Sequence, residues 1–242
     1  DEGFRELKDK RVGLVTNPSG VDGQGVPTWK RFREASNVNL VALYGPEHGV
    51  FGKVGAGKHV SGERHGEDKN SDGKISKDEE TGIRVFSLYG DTRKPTPRML
   101  EGVDVMVYDL QDVGCRSYTY ISTLGLVMEA AAEKGIEVMV LDRPNPLGTR
   151  RVEGPRPQGA DVIPSFIGQY DIPYVYGLTV GELARWINDH YLRRPCRLSV
   201  IPMKGWSQEM TWEDTGLKWV ATSPNIAKIV SVRGYTATGF FG

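Results

Sequence analysis

Glu47 and His48 stand side by side between Pro46 and Gly49, a carboxylate and an imidazole held between one rigid and one permissive residue. Such a pair suits general acid–base chemistry, with His48 either a proton carrier itself or the group that orients Glu47. Three further polar clusters share the same setting. Asn17 lies in Thr16-Asn17-Pro18-Ser19-Gly20, Asp109, Gln111 and Asp112 lie in Asp109-Leu110-Gln111-Asp112-Val113-Gly114, and Asp142, Arg143 and Asn145 lie in Asp142-Arg143-Pro144-Asn145-Pro146. A single strand-end Asp or Asn is more often a turn former than a catalyst. Four clusters in equivalent places weaken that reading.

What places them together is the run of residues before each. Arg11 to Thr16, Asn39 to Tyr44, Asp104 to Asp109 and Glu137 to Asp142 are short, continuous apolar runs of the kind that form strands buried on both faces. Helical stretches are expected between them, at Pro27 to Ala35, Pro97 to Glu101 and Tyr118 to Lys134. Arg84 to Leu88 and Arg197 to Pro202 read as further strands, and Thr179 to His190 as a helix with Thr179 as N-cap and Glu182 three residues on. The repeated βαβ pattern predicts an α/β fold, a Rossmann-like open, mainly parallel sheet with helices on both faces. In such a sheet ligands bind outside the carboxyl ends of the strands, and all four polar clusters fall there.

The helix expected near Tyr118 to Lys134 presents Ile121, Leu124, Gly125 and Met128 as its buried stripe, and it carries Glu129. Glu129 is either a solvent-facing helix residue or a carboxylate turned into a cleft with a raised pKa. Arg116, Tyr118 and Tyr120 follow the Asp109 loop and join the candidate substrate-binding residues.

Composition narrows the function classes. The 242 residues suffice for a sizeable core, and 31 Lys plus Arg balance 31 Asp plus Glu, which leaves no global footprint for nucleic acid or an anionic membrane surface. No apolar run is long enough to span a membrane, and the chain opens on Asp1-Glu2-Gly3 rather than on a leader sequence. An exported protein whose signal peptide has been removed is the expectation. Cys115 and Cys196 are far apart without metal-type spacing, and they either pair once or remain free.

The segment from Asp68 to Glu79 meets the template of a calcium-binding loop. Asp68, Asn70, Asp72 and Ser76 supply side-chain oxygens, Gly73 the turn, Lys74 a backbone carbonyl and Glu79 the closing carboxylate. The segment before it, Ser61 to Gly66, is a poor helix, so a structural Ca2+ staple is expected rather than a sensor that opens.

Taken in order, Gly13 to Gly20, Gly45-Pro46-Glu47-His48-Gly49, Asp109 to Gly114, Tyr118-Thr119-Tyr120-Ile121-Ser122-Thr123, Leu141 to Pro146 and Val152-Glu153-Gly154-Pro155 resemble the NamZ-like exo-β-N-acetylmuramidases. Agreement at Gly177 to Ala184 and at Ser223-Pro224-Asn225 extends the resemblance over roughly residues 7 to 226. It implies a Rossmann-like catalytic domain, taken as 1–150 with the insertion at about 61–82, and part of a second, smaller α+β domain over 151–242 that helps form the sugar cleft. It further implies a glycoside hydrolase that releases N-acetylmuramic acid from the non-reducing end of peptidoglycan fragments, with no cofactor for catalysis. Glu47 is then the leading catalytic carboxylate. Glycosidases ordinarily need two carboxyls; Glu129 is the first choice for the second, with Asp112 and Glu153 behind it. Arg116 and Arg143 either pair with the lactyl carboxylate of muramic acid or form structural salt bridges.

The resemblance fades over Val230 to Gly242, whereas family members continue well past Ser223-Pro224-Asn225. An incomplete second domain and weakened turnover are therefore expected. Two other readings stand beside the muramidase: a noncatalytic muropeptide- or sugar-binding module, and a metal-assisted hydrolase built on Asp109, Asp112 and His48.

Overall fold

The computed structural model describes residues 3–52, 55, 58, 82–157 and 165–239. The calcium-template segment Asp68 to Glu79 lies outside them. Six parallel strands form one sheet: β1 (Arg11–Thr16), β2 (Asn39–Gly45), β3 (Arg84–Ser87), β4 (Val105–Asp109), β5 (Glu137–Leu141) and β6 (Arg197–Ile201). Their order is β3-β2-β1-β4-β5-β6, so the chain winds outward in both directions from β1 and β4. Between those two strands lies the switch point at which open α/β sheets bind ligands.

Side-chain alternation builds one core on each face. In β4, Val105 and Val107 join Leu14, Trp29, Phe32 and Leu43 beneath α1 (Thr28–Glu34), whereas Met106 and Tyr108 face the opposite layer. That second layer holds α2 (Tyr120–Lys134) and α3 (Val180–His190), whose Ile121, Leu124, Met128, Leu183 and Ile187 are fully or nearly fully buried. Each such side chain contributes about 2 kcal/mol by leaving water.

The predicted capping box is present: the Thr179 hydroxyl accepts from the Glu182 backbone, and the Glu182 carboxylate accepts from the Thr179 backbone at 2.8 Å. α2 ends where Gly135 turns left-handed at φ 69°. Its burial is wider than the predicted stripe, because Val127, Ala130, Ala131 and Ala132 are buried as well.

Three expectations change. Residues 97–101 form turns rather than a helix, since Pro97 opens a run too short to nucleate one and Gly102 ends it at φ 73°. A domain boundary at 150 would cut through one sheet, because β6 pairs along its whole length with β5 and α3 packs on that same sheet. Among the described residues, 151–239 adds no second sheet; its last part is loops and α4 (Ile229–Thr238), a helix the sequence pattern did not reveal. Cys115 and Cys196 are both buried and unpaired.

Candidate active site

Glu47 stands on a turn at the carboxyl end of β2. The Gly49 N–H donates to the Pro46 carbonyl at 2.9 Å, and His48 and Gly49 take left-handed φ values of 74° and 77°. That backbone is unusual for His. It closes the chain back over Gly45, where a Cβ would come within 2.6 Å of the Val50 backbone nitrogen. The outcome is a buried His48 and a half-buried Glu47 directed to the rim.

Thr119 and Tyr89 engage the Glu47 carboxylate. The Thr119 hydroxyl, at the N-cap of α2, donates to Oε2 at 2.7 Å. Tyr89, in the loop after β3, has its phenol pKa raised first by burial and then by Glu47, through charge and a hydrogen bond; Arg93 opposes the shift. Phe166 stacks obliquely on Tyr89, and its carbonyl accepts from the Ser122 hydroxyl of α2 at 2.6 Å. This cluster positions one carboxylate beside donors and an aromatic wall, a setting fit for proton transfer to a ligand oxygen.

A cavity of about 800 Å³ opens over the ends of β1, β4 and β5 and is walled on its far side by Trp206, Trp212 and Trp219. Glu47 does not line it. The acidic groups of this cavity are already committed, which favours the Glu47 rim. Asp109, fully buried, accepts from Thr28 at 2.5 Å and from the Arg143 Nε at 2.7 Å. Asp142 accepts from Thr179 and the Gly181 N–H, anchoring the start of α3, and burial raises its pKa despite those bonds.

Between the two spaces, Thr222 packs onto three predicted substrate residues. Its hydroxyl accepts from Tyr118 at 2.8 Å, and its carbonyl accepts from Tyr120 and Asn17. Tyr118, Tyr120 and Asn17 thus hold the chain's own return segment. Gln111 spans two loops, donating to the carbonyls of Asp112 and Pro144. Asn145 forms a turn with the Leu147 N–H and donates to the Leu178 carbonyl.

The structure does not bring the shortlisted second carboxylates beside Glu47. Glu129 lies ten residues along α2 from Thr119, roughly 15 Å by the helical rise, and pairs with Lys94 at 2.9 Å on the surface. Asp112 is enclosed, accepting from Tyr176 at 2.5 Å and from the Gly114 N–H at 2.8 Å. Glu153 is exposed and paired with Arg151. Arg116 donates to the carbonyls of Pro155 and Ile172, both through Nη1, and Arg143 is committed through Nε and Nη2 to Asp109 and the Val21 carbonyl. With Asp109 and Asp112 each closed in by protein donors, the metal-hydrolase grouping has no convergent donor set among the described residues.

Tyr89, Arg93, Phe166 and Thr119 are the members that strand-end reasoning passed over. The signal was available for the first two: Arg84 to Leu88 is a strand, and the loop after it obeys the same rule as the other four. Phe166 comes from a distant segment that no local pattern marks.

The family described as "Exo-beta-N-acetylmuramidase NamZ, N-terminal" matches residues 12–230. Peptidoglycan beta-N-acetylmuramidase NamZ of Bacillus subtilis (strain 168) is 45% identical over 237 residues, a match that takes in 97% of this chain and 53% of that protein. Two DUF1343 family proteins of known structure from Bacteroides fragilis NCTC 9343 align with TM-scores of 0.87 and 0.76, at 50% and 29% identity. They cover 100% and 98% of this chain, which in turn covers 57% and 58% of theirs. The chain therefore spans little more than half the length of these relatives. Its match from residue 12 to residue 230, on a fold shared with these solved structures, shows that the chain belongs to the exo-β-N-acetylmuramidase NamZ N-terminal family.

Proposed function

We propose that this chain carries the acid–base half of a glycoside hydrolase that releases N-acetylmuramic acid from the non-reducing end of peptidoglycan fragments. The observation that carries the proposal is the Glu47 carboxylate on the β2 rim, gripped by Thr119 and adjoining Tyr89, in a chain 45% identical to a peptidoglycan β-N-acetylmuramidase. In this reading Glu47 gives its proton to the departing glycosidic oxygen as the sugar develops oxocarbenium character. Thr119 fixes the rotamer from which it does so. None of Glu129, Asp112 and Glu153 stands as its partner, and the N-acetyl oxygen of the substrate is available to assist at the anomeric carbon in its place.

A fragment of cell wall as substrate fits an extracytoplasmic protein. Such a setting would also supply the calcium for which the Asp68 to Glu79 pattern is suited, there as a structural staple and not as a catalyst. The reading is tested by release of a chromogenic aglycone from a β-N-acetylmuraminide and from the matching β-N-acetylglucosaminide. Cleavage of the muraminide alone is expected. Cleavage of neither sugar, with N-acetylmuramic acid still bound, would replace the enzyme with a binding module.

A further inference from the structure

Arg93 carries a charge that no carboxylate among the described residues neutralises. The contrast with its neighbour is direct: Lys94 is held by Glu129 at 2.9 Å and by Glu133 at 2.8 Å. The contacts of Arg93 are aromatic instead. Its guanidinium carbon lies 4.3 Å from the ring centre of Phe166 and 5.3 Å from that of Tyr89.

This arrangement leaves the useful part of the side chain open. Contact with aromatic faces occupies the π surface of a guanidinium, while its five N–H donors lie in the plane and point away. The rings also restrict its rotamers, so less freedom is lost when a planar anion docks bidentately. The two rings are themselves fixed, Phe166 through the Ser122 hydroxyl on its carbonyl and Tyr89 through its approach to Glu47.

The position of this fork relative to Glu47 defines the ligand. Tyr89 joins them, its ring centre 5.3 Å from the guanidinium carbon and its hydroxyl hydrogen-bonded to Glu47, so the guanidinium and the carboxylate flank the same phenol. A sugar whose glycosidic oxygen meets Glu47 and which carries an anionic group across its own ring meets both residues at once. Muramic acid has that layout, with the scissile bond at C1 and a lactyl ether carboxylate at C3; glucosamine lacks the anion. We propose that Arg93, stacked on Phe166 and Tyr89 beside Glu47, is the specificity residue that binds the lactyl carboxylate. The proposal rests on the muramidase reading for the identity of the sugar, and it gives Arg93 a role that Arg143, already paired with Asp109, does not have free.

The test compares free N-acetylmuramic acid with its methyl ester, which keeps the shape and loses the charge, by calorimetric titration of the chain and of Arg93→Gln and Arg93→Lys. The wild type should bind the acid about tenfold more tightly than the ester, the worth of one charge-assisted contact. Arg93→Gln should bring the ratio to about one and Arg93→Lys should keep part of it, because a point charge remains without the fork. Exposed Arg93 should leave the melting temperature unchanged on substitution. A preference for the acid that survives Arg93→Gln, or its absence from the wild type, overturns the proposal. Aglycone release reports separately on the enzyme: turnover with an Arg93-independent preference overturns only the role of Arg93, whereas an Arg93-dependent preference without turnover keeps the anion site and removes the hydrolase.

Discussion

The hydroxyl of Thr119 donates to Oε2 of Glu47 at 2.7 Å, which ties the N-cap of α2 to the tip of β2 across the end of β1. An N-cap threonine ordinarily spends its oxygen on its own helix; Thr119 makes no such bond and turns to the carboxylate instead. Thr119→Val should therefore lower kcat/KM on a muraminide about tenfold, mostly in kcat, the scale of one hydrogen bond to a charged group. Thr119→Ser should recover most of the loss. Equal losses in both variants would assign the effect to packing rather than to the hydroxyl.

Gly125 and Tyr170 form a coupled pair in the core. A Cβ on Gly125 would fall 1.6 Å from the Tyr170 hydroxyl oxygen, and that buried hydroxyl has no hydrogen-bond partner. Gly125→Ala should destabilise the fold by about 3 kcal/mol through overpacking. Tyr170→Phe should be near neutral or stabilising, because it removes an unsatisfied polar atom. Combined, the two changes should cost less than their sum, which a double-mutant cycle on urea unfolding measures.

Asp112 is fully enclosed, and burial pushes its carboxyl up to about 6 although Tyr176 and the Gly114 N–H pull it down. A carboxyl raised in the folded state binds its proton more tightly there than in the unfolded chain. Its contribution to stability is thus fully present below about pH 4 and is lost as pH rises through about 6, on the order of 2–3 kcal/mol. Asp112→Asn should flatten the stability profile between pH 4 and 7 relative to the wild type. Other carboxylates, such as Asp104 held at about 2 by Arg11, slope the opposite way in both proteins and cancel in the difference. An unchanged difference across that range would contradict the account of Asp112.

The segment Asp68 to Glu79 should make thermal stability calcium-dependent. Millimolar Ca2+ should raise the melting temperature, a chelator should reverse the shift, and joint replacement of Asp68 and Glu79 by Ala should abolish it while aglycone release persists. A shift of the same size in the double variant would remove the site.

The sheet was legible because its strands are buried on both faces, and continuous runs such as Val105 to Tyr108 have few other solutions. The position of Glu47 followed from the same logic, since strand ends fix which loops converge. Side-chain partnership did not follow. Whether Asp109 awaits a ligand or meets Arg143, and whether Tyr120 faces solvent or the Thr222 carbonyl, depends on segments brought together from far along the chain. Glu129 shows the limit of helix reasoning: spacing gave its helix, but only the placement of Lys94 shows that it faces a surface cation rather than the rim.

The central claim is that Glu47 protonates the leaving oxygen, and leaving-group dependence tests it most directly. The kcat/KM of the wild type and of Glu47→Gln should be measured on two β-N-acetylmuraminides, one with a dinitrophenyl aglycone that departs without a proton and one with an alkyl aglycone that needs it. Glu47→Gln should lose about 10²- to 10⁴-fold on the alkyl glycoside, the usual worth of general acid catalysis, and far less on the dinitrophenyl one. Equal losses on both, or full activity of Glu47→Gln on the alkyl substrate, would contradict the assignment.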